Sequence, residues 1–466
     1  MRTRKIIKRI FISILLICII VFTWLSFTVF PAVSGYGSKN LCSAVYLQHR
    51  NPIDVIREDL GTFPLSLGTF TVNEKDSSVT GSVWGLAKRK TIYRKGVGCT
   101  LINDLSEEEI RKQQFVLPAK PSIISDSIAW PYGDKLPDKF PVNINKEKLE
   151  IAVNNVMNET TADGKTVYSR AVLVIYEGNI VAEKYAPGFD KSTVMLGWSM
   201  SKSFTAAMIG ILVKENKLSV DDPAPVAAWA NTKKQKITIK HLLQQTTGLD
   251  FTEIYTRPSS VTKMLFSKGD MAAYTESLSL KYEPGTVFNY SSGNSNILSR
   301  IIRQTVGEKD YAAFPYNELF YKINAHSFLM EPDASGTYIG SSYSYATARD
   351  FARFGLLYYN NGIWNGEQIL SANWVKESIQ PSVADKLNHY GYQFWLNGYD
   401  QKDPTKHWFP DIPSDMFFAD GYGGQDVYII PSEKLVVVRL GLHVINENKF
   451  LKEVIEAMKH DSFYFI

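Results

Sequence analysis

Between Ile10 and Phe30 the chain carries 21 consecutive uncharged residues, most of them apolar. A run of that length matches the ~20 residues a helix needs to cross a bilayer core, so the first segment is expected to be a transmembrane helix. Arg2, Arg4, Lys5, Lys8 and Arg9 stand directly before it. Basic flanks stay on the cytoplasmic side, which places everything after Pro31 beyond the membrane. The alternative is a cleaved signal peptide ending near Ala32-Val33-Ser34, but the run exceeds the ~7–15 apolar residues usual for one. Either way the bulk of the chain is exported. The expected location is a bacterial cell membrane, crossed once, with the catalytic part periplasmic or on the cell surface.

The five N-terminal cations also account for the formal charge of +4. Without them the remainder is close to −1, and it has no Lys/Arg stripe with interleaved aromatics, so a nucleic-acid partner is excluded. At 466 residues, 45% hydrophobic and 21% charged, the chain is globular and long enough for more than one core. Cys18 lies inside the apolar run. Cys42 and Cys99 lie beyond it, and two cysteines in an oxidising compartment are expected to pair.

Residues 1–34 are read as the basic tail and anchor, 35–145 as an accessory region with its connector, and 146–466 as the main domain. Short alternating stretches such as Thr69-Phe70-Thr71-Val72 suggest a few strands in the accessory region. Prolines 118, 121, 131, 137 and 141 punctuate the connector. The main domain opens with an amphipathic helix from Lys146 to Met157. A hairpin follows, Ser169 to Tyr176 and Ile180 to Tyr185 around Glu177-Gly178-Asn179. A helix from about Ser199 to Glu215 and a mostly helical middle lead to a second hairpin, Val427 to Ile430 and Leu435 to Gly441. A closing helix runs from Lys449 to Lys459. Strands at both ends with helices between them imply one antiparallel α/β sheet assembled from distant segments, with a helical insertion.

Ser199-Met200-Ser201-Lys202 opens the first long helix of that domain, and a spacing of three puts both side chains on one face. A serine hydroxyl becomes a nucleophile when a neighbouring base takes its proton, and an amine kept among apolar groups can do so. A helix start also directs N–H groups toward a developing oxyanion. A second Ser-x-x-Lys, Ser260 to Lys263, sits in a polar stretch and is expected to be a solvated turn. Ser199 instead precedes Phe204, Ala206, Ala207 and Met208, so its helix is buried, and a buried lysine needs a reason. Tyr290-Ser291-Ser292 supplies a phenol able to relay a proton and a hydroxyl two residues on. Gly421-Tyr422-Gly423-Gly424-Gln425 lets backbone approach a substrate closely.

In order and flanks these elements resemble the serine β-lactamase and penicillin-recognising superfamily. Within it the chain is similar to the class C-related hydrolases that include esterases, D-aminopeptidases and 6-aminohexanoate-dimer hydrolase. The resemblance covers roughly residues 146 to 459. His241 to Leu249 and Ala348 to Gly355 carry its secondary, structural signatures. It implies a three-layered β-lactamase-like sandwich acting on a small ester, amide or peptide. Ser199 would form the acyl-enzyme, Lys202 would deprotonate it, and Tyr290 would complete the proton network beside Ser292. The amides of Ser199 and Gln425, the latter after Gly424, would bind the oxyanion. Where penicillin-recognising enzymes use a Lys-Thr-Gly type triplet, this chain has Tyr422-Gly423-Gly424.

Two other chemistries fit less well. A Ser-His-Asp triad would leave Lys202 unexplained, and its Gly-x-Ser-x-Gly elbow lacks the last glycine. Of the histidines only His443 is a candidate for the site's edge. No His/Cys/carboxylate spacing suits a metal, so no cofactor is expected. A non-catalytic cell-wall or β-lactam sensor of the same fold is the reading from another class; its nine-residue tail would require a protein partner, whose identity the sequence does not give.

Overall fold

The computed structural model describes residues 2–122, 125–136, 144–161 and 164–459. Pro137 and Pro141 of the connector lie outside them.

The apolar run forms helix α1 (Arg2–Thr28), which passes almost without interruption into α2 (Phe30–Tyr46). Within the continuous stretch Arg4–Tyr46 the most apolar 18 residues have a mean hydropathy of 2.8, and none of them is buried. α2 is different. Its residues Ser34, Gly35, Gly37, Ser38, Leu41 and Cys42 are buried beside an antiparallel sheet in the order β1 (Gly68–Asn73), β2 (Ser78–Val83), β3 (Leu86–Arg94) and β4 (Gly98–Leu101). Small residues permit the close approach: a Cβ on Gly81 would stand 2.4 Å from the Ser34 carbonyl oxygen. Cys42 of α2 is disulfide-bonded to Cys99 of β4, as expected.

These elements belong to the first of two compact units, residues 1–113 joined by Thr252–Met271 and Pro332–Gly336. The second Ser-x-x-Lys lies in this unit, and here the structure corrects the expectation of a turn. Ser259 caps a helix, Ser260–Ser267, through a reciprocal box with Thr262. Lys263 points to solvent.

The second unit comprises residues 114–251, 272–331 and 337–466. Its six-stranded antiparallel sheet runs β7 (Trp395–Leu396), β8 (Phe417–Gly421), β9 (Gln425–Ile430), β10 (Leu435–Gly441), β5 (Ser169–Tyr176), β6 (Asn179–Tyr185). Both faces are covered. Val172, Val174, Tyr428, Ile430 and Val437 pack with helices α3 (Lys146–Met157) and α7 (Glu447–Met458) through Leu149, Val153, Phe450 and Val454. Leu173, Ile175, Val427, Ile429, Val436 and Val438 share the other core with α4 (Ser201–Lys214) and α6 (Ala348–Tyr359). Each large apolar side chain buried this way contributes about 1.5–3 kcal/mol. Between β6 and β8 the chain is mostly helical, including α5 (Ser292–Val306). The helix-flanked antiparallel sheet read from the sequence is therefore the one the chain forms.

Candidate active site

Trp198–Met200 forms a tight turn that feeds α4. Trp198 takes φ +47°, a left-handed conformation costly for a bulky residue. The turn is stitched in place by the Ser201 hydroxyl, which donates to the Trp198 carbonyl at 2.7 Å and accepts from the Ser344 N–H at 3.2 Å. The Gly197 N–H donates to the Ser344 carbonyl at 2.8 Å.

One turn on, Lys202 is 1% exposed. Its Nζ lies 2.9 Å from Ser199 Oγ and 3.1 Å from Ser292 Oγ, and it donates to the Ser341 carbonyl at 3.1 Å. The Tyr290 ring centroid is 4.8 Å from the same nitrogen. The structure thus brings together Ser199, Lys202, Tyr290 and Ser292. Two hydroxyls and a carbonyl meet its hydrogen bonds, and the buried Asp420 carboxyl interacts with it electrostatically.

Gln245 sets the Tyr290 segment, a role the sequence reading missed because His241 to Leu249 registered only as a structural signature. Its Oε1 accepts from the Ser291 N–H at 3.2 Å and from Asn294 Nδ2 at 2.7 Å. Its carbonyl accepts from the Asn289 N–H at 2.8 Å. The Ser291 hydroxyl in turn caps α5. Trp395 stacks on the Tyr290 ring at 5.2 Å, and Trp408, half exposed, packs on Trp395 at 5.4 Å. Tyr392 and Phe417, two other aromatics in this region, are core residues at 1% and 2% exposure.

The Gly-rich segment proves to be the turn of a hairpin, because Phe417–Gly421 is itself a strand. A Cβ on Gly421 would stand 2.2 Å from the Gly197 carbonyl oxygen and 3.1 Å from Trp198 Cβ. That puts the Gly421–Tyr422 peptide alongside the backbone leading into Ser199. The Tyr422 ring meets Trp198 edge-on at 5.7 Å. Gly424 and Gln425 turn toward β10 instead. A Cβ on Gly424 would meet Arg439, and the Gln425 side chain donates to the Gly441 and Tyr422 carbonyls and accepts from the Gly441 N–H.

Arg439 is fully buried behind this turn. It donates to the carbonyls of Gly423 (3.0 Å) and Gly424 (2.7 Å) and to Ser169 Oγ (2.8 Å). Asp420 and Asp426 pair across β8 and β9, and Asp426 opposes Arg439 on β10. Burial pushes both carboxyls above their ordinary range, and at Asp426 the neighbouring carboxylates Glu447 and Asp420 add to the rise. Glu447, at the start of α7, is pushed up to about 7 by burial and by Asp420. His443 is exposed at the end of β10, 6.5 Å from the Tyr168 ring.

A serine hydroxyl held against a buried lysine, on a helix-flanked antiparallel sheet, is the arrangement of a serine hydrolase. Residues 158–442 match the family described as Beta-lactamase, and the chain belongs to that family. Among characterised relatives it is 24% identical over 351 residues to a 6-aminohexanoate-dimer hydrolase of Paenarthrobacter ureafaciens, covering 71% of this chain and 81% of that one. Among solved structures it resembles a family VIII carboxylesterase (TM-score 0.52, 15% identity, 69% of this chain and 98% of that one). It also resembles a candidate 6-aminohexanoate-dimer hydrolase of Bacillus anthracis (TM-score 0.52, 23% identity, 62% and 78%).

Proposed function

We propose that the protein is a membrane-anchored hydrolase that opens small esters or amides through an acyl-serine, with Ser199 as nucleophile and Lys202 as its base. The observation that carries this is the 2.9 Å contact between Lys202 Nζ and Ser199 Oγ, made by a lysine that is almost wholly buried. As Oγ attacks the substrate carbonyl, the neutral amine accepts the hydroxyl proton. It returns that proton to the leaving alcohol or amine by way of Ser292, whose hydroxyl is bonded to the same nitrogen, or of Tyr290, whose ring lies beside it. Water then enters by the reverse path and frees the acid.

The oxyanion faces the Ser199 N–H and a second amide from the hairpin turn. The approach of Gly421 to Gly197 favours the Tyr422 N–H for that role over the Gln425 N–H expected from the sequence. The relative named as a 6-aminohexanoate-dimer hydrolase supports a short linear amide as substrate. A retained anchor is supported by Phe30 and Val33, which join Val83 in the first unit's core; cleavage at Ala32-Val33-Ser34 would remove part of that core.

A fluorophosphonate probe tests the assignment, since only an activated hydroxyl reacts with it. Labelling is expected in the parent protein and in Ser260→Ala, and to be lost in Ser199→Ala. Labelling that persists in Ser199→Ala overturns the reading, and a single acylation without repeated turnover of an ester would make the protein a sensor.

A further inference from the structure

Side chains are exposed without a break from Ile6 to Trp24, which at 1.5 Å per residue is about 28 Å of helix, with Lys8 and Arg9 snorkelling at its start. A bilayer core is about 30 Å thick. The far boundary of the core therefore falls near Trp24, and whatever packs on α1 around Phe22 stands at that boundary.

Near this end the first unit packs on one side of α1 and leaves Trp24 and Phe27 exposed. Trp84, at the tip of the β2–β3 hairpin, stacks on Phe22 with ring centroids 6.2 Å apart and meets Phe30 edge-on at 5.5 Å. Leu25, Val29, Leu65, Leu67 and Ala87 pack around the small cluster of Phe30, Val33 and Val83. Phe22 lies eight residues before Phe30, about 12 Å along the axis. The hairpin tip therefore reaches down the anchor well inside the apolar run.

That tip is built unusually for a water-exposed turn. Val83 and Leu86 pair across a two-residue loop, in which Trp84 has φ +50° and Gly85 φ +78°. Such loops favour Asn or Gly at the first position, because a bulky side chain is strained there. Here the position holds a tryptophan 62% exposed, followed by Leu86 at 42%. Trp24 and Phe27 of α1 are also exposed, and Lys88, exposed, follows on β3. Aromatic rings backed by a cation are the chemistry of a lipid headgroup boundary.

We propose that the Trp84-Gly85-Leu86 tip is inserted into the outer leaflet beside α1, so that the first unit rides in the membrane boundary instead of hanging from a free stalk. The partner is the phospholipid bilayer itself, with Trp84 and Leu86 at the acyl boundary and Lys88 among the phosphates. This rests on the reading that α1 is retained as an anchor.

The test uses the full chain in phosphatidylcholine vesicles, with Cys18→Ser and a single introduced cysteine carrying an environment-sensitive fluorophore. Probes at Trp84→Cys and Leu86→Cys are compared with one at Lys75→Cys, in the turn at the other end of β2. Blue-shifted emission at 84 and 86, quenched at least threefold more strongly by a lipid spin-labelled near the headgroup than emission at 75, is the expected result. Water-like emission at 84 and 86 while the protein still floats with the vesicles overturns the insertion and leaves the anchor standing. A chain that has lost its N-terminus by intact mass and no longer floats overturns both.

Discussion

Burying an amine costs several kcal/mol unless its hydrogen bonds are met or it sheds its charge. Lys202 meets that requirement with the hydroxyls of Ser199 and Ser292 and the Ser341 carbonyl, partners suited to an amine that trades a proton with Ser199. Replacing it with a residue of similar volume, Lys202→Met, is expected to lower kcat on a p-nitrophenyl ester by about 10²–10⁴-fold, the usual range for a general base. The thermal midpoint should stay the same or rise. Tyr290→Phe keeps the ring stacked on Trp395 and removes only the phenol, so a loss there without a change in KM identifies a proton-relay role. A Lys202→Met enzyme with parental kcat would remove the lysine from the chemistry. At this scale the sequence was informative: spacing of three along a helix with an apolar flank is a local pattern, and local patterns survive folding. Gln245 was not legible, because its work is done through bonds to Ser291 and Asn294, more than forty residues away.

Among elements, the hairpin β8–β9 carries most of what the sequence concealed. Phe417-Phe418-Ala419-Asp420-Gly421 reads poorly as a strand because an acid sits where a core-facing residue belongs. The Gly-rich stretch after it then looked like a lead-in to β9 and not like the turn between two strands. Once β8 is seen, Gly421 becomes the close contact with Gly197, and a methyl group there has no room against backbone. Gly421→Ala is expected to cut turnover about 10²–10³-fold, the effect of losing one oxyanion donor, with KM little changed; stopped-flow acylation measures it. The acid in β8 has a second consequence. Asp420, Asp426 and Glu447 share a buried site with Arg439, Tyr428 and, further out, Glu159. Glu447, raised to about 7 from an ordinary value near 4.5, favours the protonated form in the folded state. Its contribution is therefore complete below about pH 4.5 and is lost as the pH climbs through 7. Thermal midpoints are expected to fall between pH 5 and pH 8 and to fall less in Glu447→Gln; a midpoint that rises across that range would contradict the assignment.

For the molecule as a whole, the layered sheet was legible because β5, β9 and β10 are dense in Val, Ile and Leu and sit beside turn residues. The first unit was not. α2 is a buried helix whose apolar residues are interrupted by Gly, Ser, Lys and Asn, so it offers no clear apolar period, and Thr252–Met271 and Pro332–Gly336 join that unit from far along the chain. The last consequence concerns charge around the serine. Anionic β-lactams need a cation where the related penicillin-recognising enzymes are expected to place a lysine, and Tyr422, 59% exposed, has none. Two basic residues on and just past β10 do not replace it. Arg439 is buried and committed to the carbonyls of Gly423 and Gly424, and His443 lies against Tyr168 beyond the end of the strand. What surrounds Ser199 is aromatic: Trp198, Tyr343 and Tyr422 on one side, Tyr290 and Trp395 on the other. A lost charge-assisted contact costs about 1.5–3 kcal/mol, roughly ten- to over a hundredfold in kcat/KM. A chromogenic cephalosporin should therefore be hydrolysed at least tenfold less efficiently than an uncharged p-nitrophenyl ester. Tyr422→Lys should narrow that gap by raising kcat/KM for the cephalosporin while leaving the ester unchanged. A parent enzyme that prefers the cephalosporin would mean that another cation holds the carboxylate, and His443→Ala would show whether the histidine supplies it.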